Sequence, residues 1–111
     1  MKAHIPQKGD FIAVTFDPQA GHEQKGRRPA LVVSNTLFNE RTGLAIVCPL
    51  TTTDRGYPFH VAIIRNPDVK GFVMVEQVKS IDYRARQVKL IGKASDELLG
   101  EVLALLDACI Y

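Results

Sequence analysis

Ser95-Asp96-Glu97-Leu98-Leu99-Gly100-Glu101-Val102-Leu103-Ala104-Leu105-Leu106-Asp107-Ala108-Cys109-Ile110 carries the clearest helical pattern in the chain. Ser95 can accept a hydrogen bond from backbone N–H groups and cap a helix, and Asp96 and Glu97 complement the dipole of its first turn. Leu98, Leu99, Val102, Leu103, Leu105, Leu106, Cys109 and Ile110 then cover a broad apolar face at helical spacing. Gly100 weakens this helix by about 1 kcal/mol relative to alanine. The chain before it reads differently, as short apolar and β-branched runs parted by turn residues. Asp10 to Phe16 alternates loosely and reads as a strand. Pro29-Ala30-Leu31-Val32-Val33 and Leu44 to Leu50 are compact apolar runs, the pattern of fully buried strands. Phe59 to Ile64, Phe72 to Val75 and Gln87 to Ile91 complete five or six strands. Ser34 or Asn35 can cap a short helical turn over Thr36–Glu40, and the mixed segment Glu76 to Ala85 carries no assignment. Strands first and one helix last predict a mainly β fold, a small barrel or strongly bent sheet covered by the C-terminal helix. At 111 residues, a single domain over 1–111 is expected.

Charge is unevenly divided. Residues 1–93 hold 14 Lys and Arg against 8 Asp and Glu, a balance of +6, whereas residues 94–111 hold 4 acids and no Lys or Arg, a balance of −4. A basic body suits a polyanion-binding protein, although solvated lysines give the same count. No apolar run approaches the roughly 20 residues that cross a bilayer, and Met1–Pro6 lacks an apolar stretch of signal-peptide length. A cytoplasmic protein with no membrane partner is therefore expected. Cys48 and Cys109 lack metal-ligand spacing and read as buried, reduced thiols.

Three polar groups can carry chemistry. The loop Gly21-His22-Glu23-Gln24-Lys25-Gly26-Arg27-Arg28 offers an imidazole, a carboxylate, an amide and three cations between two glycines. It reads either as a solvated hairpin loop or as a site. In the second case Arg28, abutting Pro29 at the mouth of a buried strand, can clamp a phosphate in bidentate fashion. Glu23 and His22 can exchange protons beside it. Thr51-Thr52-Thr53 follows a buried strand, and its hydroxyls can bond a phosphate or simply satisfy a turn. Glu76-Gln77-Val78-Lys79-Ser80 places a carboxylate at a strand end. His4, His22 and His60 are scattered, with no His-Glu-x-x-His or Cys-x-x-Cys spacing, so no metal site is expected. No phosphate-cradling glycine loop appears, and no cofactor is expected. An inventory of Arg, Glu, Thr and His suits phosphoryl transfer within RNA. There the substrate's 2′-hydroxyl is the nucleophile, and the protein need supply only a base, an acid and a cationic clamp.

The residues also resemble a known family. Gly9-Asp10, Phe16-Asp17-Pro18, Gly21-His22-Glu23-Gln24-x-Gly26-x-Arg28-Pro29-Ala30-Leu31-Val32-Val33-Ser34, Phe38-Asn39 and Pro49-Leu50-Thr51 occur in the order seen in MazF/PemK toxins. Gly56-Tyr57-Pro58-Phe59, Gln77-Val78-Lys79-Ser80-Ile81-Asp82 and Ala85-Arg86 continue the match, which runs from about Lys8 to Leu106. The resemblance implies an SH3-like β-barrel of the toxin type with a C-terminal helix. It implies a homodimer, and a sequence-specific, metal-independent endoribonuclease that cuts single-stranded RNA to 2′,3′-cyclic phosphate and 5′-hydroxyl ends. It also implies a cognate antitoxin, similar to MazE or PemI, with an acidic disordered tail. Carried over residue by residue, the catalytic candidates are Arg28 for charge stabilisation and Thr51 for phosphate contact. Glu23, His22 and Glu76 are the acid–base candidates, with the choice among them open. The arginine that neighbours this acid in PemK-like members falls on Met74, which moves weight to Arg28. Lys25, Arg27, Thr52, Gln77, Lys79 and Arg86 are the RNA-binding candidates.

Two alternatives belong to other classes. A CcdB-like toxin that poisons gyrase would resemble its relatives in a Trp-Gly-Ile ending, but this chain ends Cys109-Ile110-Tyr111 and contains no Trp. A non-catalytic SH3-like binding module would show an aromatic groove, and eight aromatics without Trp make a poor one.

Overall fold

The computed structural model describes residues 4–15 and 27–111. Among these residues seven strands form one sheet: β1 (Asp10–Val14), β2 (Arg28–Val32), β3 (Leu44–Thr51), β4 (His60–Ile63), β5 (Gly71–Met74), β6 (Lys79–Asp82) and β7 (Lys89–Lys93). Helix α1 (Thr36–Thr42) links β2 to β3, and α2 (Asp96–Ile110) closes the chain. The order across the sheet is β4-β5-β3-β2-β1-β7, with every pairing antiparallel. Strand β3 organises it. One edge of β3 pairs with β2, while the other is shared, Leu50 and Thr51 going to β5 and Leu44 to Val47 going to β6. One eight-residue strand with two partners on one edge curls the sheet into the expected barrel-like shape.

Alternation along the strands builds a core on each face. Phe11, Leu31, Val33, Cys48, Leu50, Val73 and Val75 point to one side, where Leu98 and Val102 of α2 complete the cluster. Ile12, Val14, Ala30, Val32, Ala45, Val47, Ile81 and Tyr83 fill the other. The helix reading holds: Ser95 Oγ accepts from the Leu98 N–H at 3.1 Å. The cap of α1 is Asn35, whose Oδ1 accepts from the Phe38 N–H at 2.8 Å. The unassigned segment begins within a 3-10 turn, Val75–Gln77, and continues into β6. Only Ile81 of β6 is buried, so this strand carries no alternating signal and is specified by the free edge of β3.

The apolar face of α2 outruns the sheet beneath it. Leu98 and Val102 are buried, but Ile110 is 60% exposed and Cys109 is exposed as well. This corrects the reading of both cysteines as buried. Cys48 lies in the core, where burial first, then the neighbouring Cys109 and Glu76, push its thiol up to about 12. A raised value leaves almost no nucleophilic thiolate below that pH. In the native protein at pH 8 one thiol per chain, Cys109, is expected to react with a thiol reagent, and Cys48 only after denaturation. Two reacting thiols in the native state would contradict this packing.

A buried polar knot holds α1 to the sheet. Asn39 is fully buried; its Nδ2 donates to Pro6 O at 2.7 Å, and its Oδ1 accepts from Ser34 Oγ. Ser34 Oγ in turn accepts from the Ile46 N–H, and Tyr83 Oη donates to Asn39 O at 2.8 Å. Asn39→Ala strands the Pro6 carbonyl and the Ser34 hydroxyl in the interior. A stability loss of about 2 kcal/mol is expected in denaturant titrations, because unmade buried hydrogen bonds cost the desolvation of their orphans. Asp10, also fully buried, anchors the preceding segment: its carboxylate meets Lys93 Nζ at 2.7 Å, His4 Nε2 at 3.0 Å and the Gln7 N–H at 2.9 Å.

Candidate active site

Arg28 opens β2 and Thr51 closes β3. The register between these strands pairs Ala30 with Pro49, Leu31 with Cys48 and Val32 with Val47. Continued by two residues, it sets Arg28 opposite Thr51 at the end of the sheet. Directly opposed residues in an antiparallel pair share a face. By alternation with Ala30 and Val32, that face is the one turned away from α2. The row continues outward, since Thr51 pairs with Phe72 and Phe72 with Ala62. Arg28 is exposed and paired with Val14 on its other side. A guanidinium on an anchored backbone and a strand-end hydroxyl therefore stand side by side.

The threonine cluster forms the turn that its sequence allows. Thr51 Oγ1 accepts from the Thr53 N–H at 3.1 Å, a local turn, and its own O–H remains available as a donor. Thr52, beside it, is exposed. Arg27 is exposed next to Arg28. Arg86 comes to the same end of the sheet: its Nη1 donates to Thr15 O at 2.7 Å, one residue beyond the Val14 that faces Arg28. Lys79 starts β6 opposite Val47, on a different part of β3. His22, Glu23 and Lys25 lie outside the described residues.

Glu76 is held in a second group. It sits in the 3-10 turn after β5, and its Oε2 lies 2.9 Å from His60 Nε2. The His60 side chain is only 3% exposed and its Nδ1 is buried without a hydrogen-bond partner among the described residues, whereas the Glu76 side chain is 30% exposed. The Tyr57 ring leans on the imidazole, with centroids 5.0 Å apart and planes at 53°. Arg55, Tyr57, His60, Met74, Glu76 and Gln77 line an open cleft of about 360 Å³. Met74 is the cross-strand partner of His60, so the basic group that meets the carboxylate comes from β4 rather than from position 74. Sequence reasoning passed over His60 as one of three scattered histidines. Its signal lies in the pairing of β4 with β5, which no local pattern encodes.

Comparison with known proteins shows the family. Residues 7–110 match the family model described as PemK-like, MazF-like toxin of type II toxin–antitoxin system. The chain belongs to that family. The endoribonuclease toxin MazF of Escherichia coli (strain K12) is 39% identical over 107 residues, covering 96% of each chain. A crystal structure of MazF from Deinococcus radiodurans superposes with a TM-score of 0.86 at 39% identity, over 97% of this chain and 98% of that one. A MazE–MazF structure from the same organism also gives 0.86, at 32% identity and 97% coverage of both chains. In this PemK/MazF-type toxin the bent sheet and C-terminal helix are thus the architecture of the family. Among its described residues no helix is long and apolar enough to cross a membrane.

Proposed function

We propose that this toxin is a sequence-specific endoribonuclease acting on single-stranded RNA in the cytoplasm. The observation that carries the reading is the strand register that sets Arg28 opposite Thr51 on the face away from α2. A guanidinium and a hydroxyl donor side by side suit a phosphodiester whose nonbridging oxygens gain charge during cleavage. The attacking group is the substrate's own 2′-hydroxyl, which leaves a 2′,3′-cyclic phosphate and a 5′-hydroxyl. An acid–base group, Glu23, His22 or Glu76, moves the protons. Arg27, Thr52 and Arg86 at this end of the sheet, together with Lys25, hold the strand, and Gln77 and Lys79 extend the contact. The relatives named endoribonucleases support this over a gyrase-binding toxin or a passive binding module.

The MazE–MazF structures point to an antitoxin partner for this chain also, one whose acidic segment competes for the basic face. The outer part of α2 suits a homodimer contact, because Ile110, 60% exposed, extends its apolar face beyond the residues that pack on the core. Light scattering at low micromolar concentration is expected to give twice 12.3 kDa, and a mass of one chain would reject the dimer. The decisive test of function is cleavage of a random-sequence RNA by the purified toxin in excess EDTA, with end-group analysis. Recurrent cut sites bearing cyclic phosphate are expected; intact RNA would overturn the reading.

A further inference from the structure

The cleft beside Glu76 has a built polar edge and an exposed aromatic ring. His60 is anchored in the wall, and its Nε2–H is the group that can donate to Glu76 Oε2, since the carboxylate only accepts. That bond engages one carboxylate oxygen and leaves Oε1, on a side chain that lines the cleft, as a further acceptor. Tyr57 is 52% exposed and its ring is braced by the tilted His60 ring, so aromatic surface is available for stacking. The Gln77 amide and the Arg55 guanidinium complete the lining.

The strand register locates this cleft relative to the Arg28–Thr51 pair. Thr51 pairs with Phe72, and Met74, two residues along β5 on the same face, pairs with His60. Two residues of strand amount to about 7 Å. The cleft therefore neighbours the proposed cleavage site on one continuous face.

We propose that Tyr57, Glu76 and Gln77 form a nucleobase subsite for a nucleotide flanking the scissile phosphate, and that it takes a base with an exocyclic amino group. The inference rests on the endoribonuclease reading above and adds the identity of a recognised base class. A carboxylate oxygen needs a donor, which the amino groups of adenine, cytosine and guanine supply. Uracil instead flanks its single N–H with two carbonyls, which a carboxylate repels. His60 is a positioning residue: it acts through Glu76 by fixing which oxygen is left to accept.

The test uses the full-length toxin and oligonucleotides varied one position at a time around the mapped cut, with kcat and KM measured separately. The wild type is expected to disfavour uridine at one flanking position by about 10-fold or more in kcat/KM. In Glu76→Gln the amide oxygen accepts from His60 and the NH₂ turns to the cleft, so the preference at that position should reverse toward uridine. His60→Leu frees the carboxylate and should flatten the preference, while His60→Gln, which retains a donor, should keep part of it. Binding of a 2′-O-methyl, uncleavable RNA should show the same base dependence; if His60→Leu fails to fold, Glu76→Gln in this assay decides. Equal base preference in the wild type and Glu76→Gln would overturn the subsite, as would a loss of kcat that is uniform over all bases. A wild type that cuts no RNA would instead overturn the parent reading.

Discussion

Arg28→Ala is expected to lower RNA cleavage by about 10²–10³-fold, because a preorganised donor to the growing charge of the transition state is worth roughly 3–4 kcal/mol. Charge grows on the nonbridging oxygens and on the departing 5′-oxygen, and a guanidinium on an anchored strand meets it without reorganising. The strand supplies the anchorage: Arg28 pairs with Val14, and the residues after it, Ala30 to Val32, are fully buried. The side chain itself is exposed, so its removal leaves the fold in place. Arg28→Lys should recover only part of the loss, since an ammonium lacks the planar two-pronged donor. Thr51→Ala should show a similar but smaller defect. His22→Ala is the discriminating control, a large loss moving the acid–base role to that histidine and a small one supporting the Arg28-centred scheme. The measurement is single-turnover cleavage of the preferred oligonucleotide by variants whose circular dichroism and mass match the wild type. Near wild-type cleavage by folded Arg28→Ala would sink the assignment.

Gly71→Ala is expected to be the most damaging small substitution in the sheet, at about 3 kcal/mol or more, a fall in Tm of about 10 °C or more for a domain of this size. Gly71 has φ +113°, a conformation that L side chains rarely adopt. A Cβ there would lie 2.3 Å from the Thr51 carbonyl oxygen and 3.1 Å from its carbonyl carbon. Both are backbone atoms, so relief requires β5 to part from β3 at the very residue that faces Arg28. Stability and cleavage should therefore fall together, with cleavage reduced even at temperatures where the variant remains folded. Calorimetry and cleavage assays on the same preparation check this, and an unchanged Tm would refute the packing at Thr51.

Much of the architecture was legible in local pattern. Pro29 to Val33 and Leu44 to Leu50 are apolar because both faces of the sheet are covered, and such runs need no partner to be recognised as buried strands. Ser95, the acidic first turn and the leucine face mark α2 within one contiguous stretch. Strand β6 escaped because three of its four residues are exposed, so the edge of β3 rather than the residues themselves makes it a strand.

The candidate site divides along the same line. Composition, order of motifs and family resemblance suffice for the mainly β class, the terminal helix and the toxin family, and they nominate Arg28, Thr51 and Glu76 as candidates for the site. Which of these stand together follows from strand pairing instead. Arg28 and Thr51 are 23 positions apart and become neighbours through the β2–β3 register, whereas Glu76 is joined by His60, 16 positions away, through β4 and β5. Register is a relation between strands, settled when the two core faces bury their alternating side chains together. A one-residue slip would turn every such side chain to the wrong face. The exposure of Cys109 follows from the same packing, because the sheet ends before the apolar stripe of α2 does.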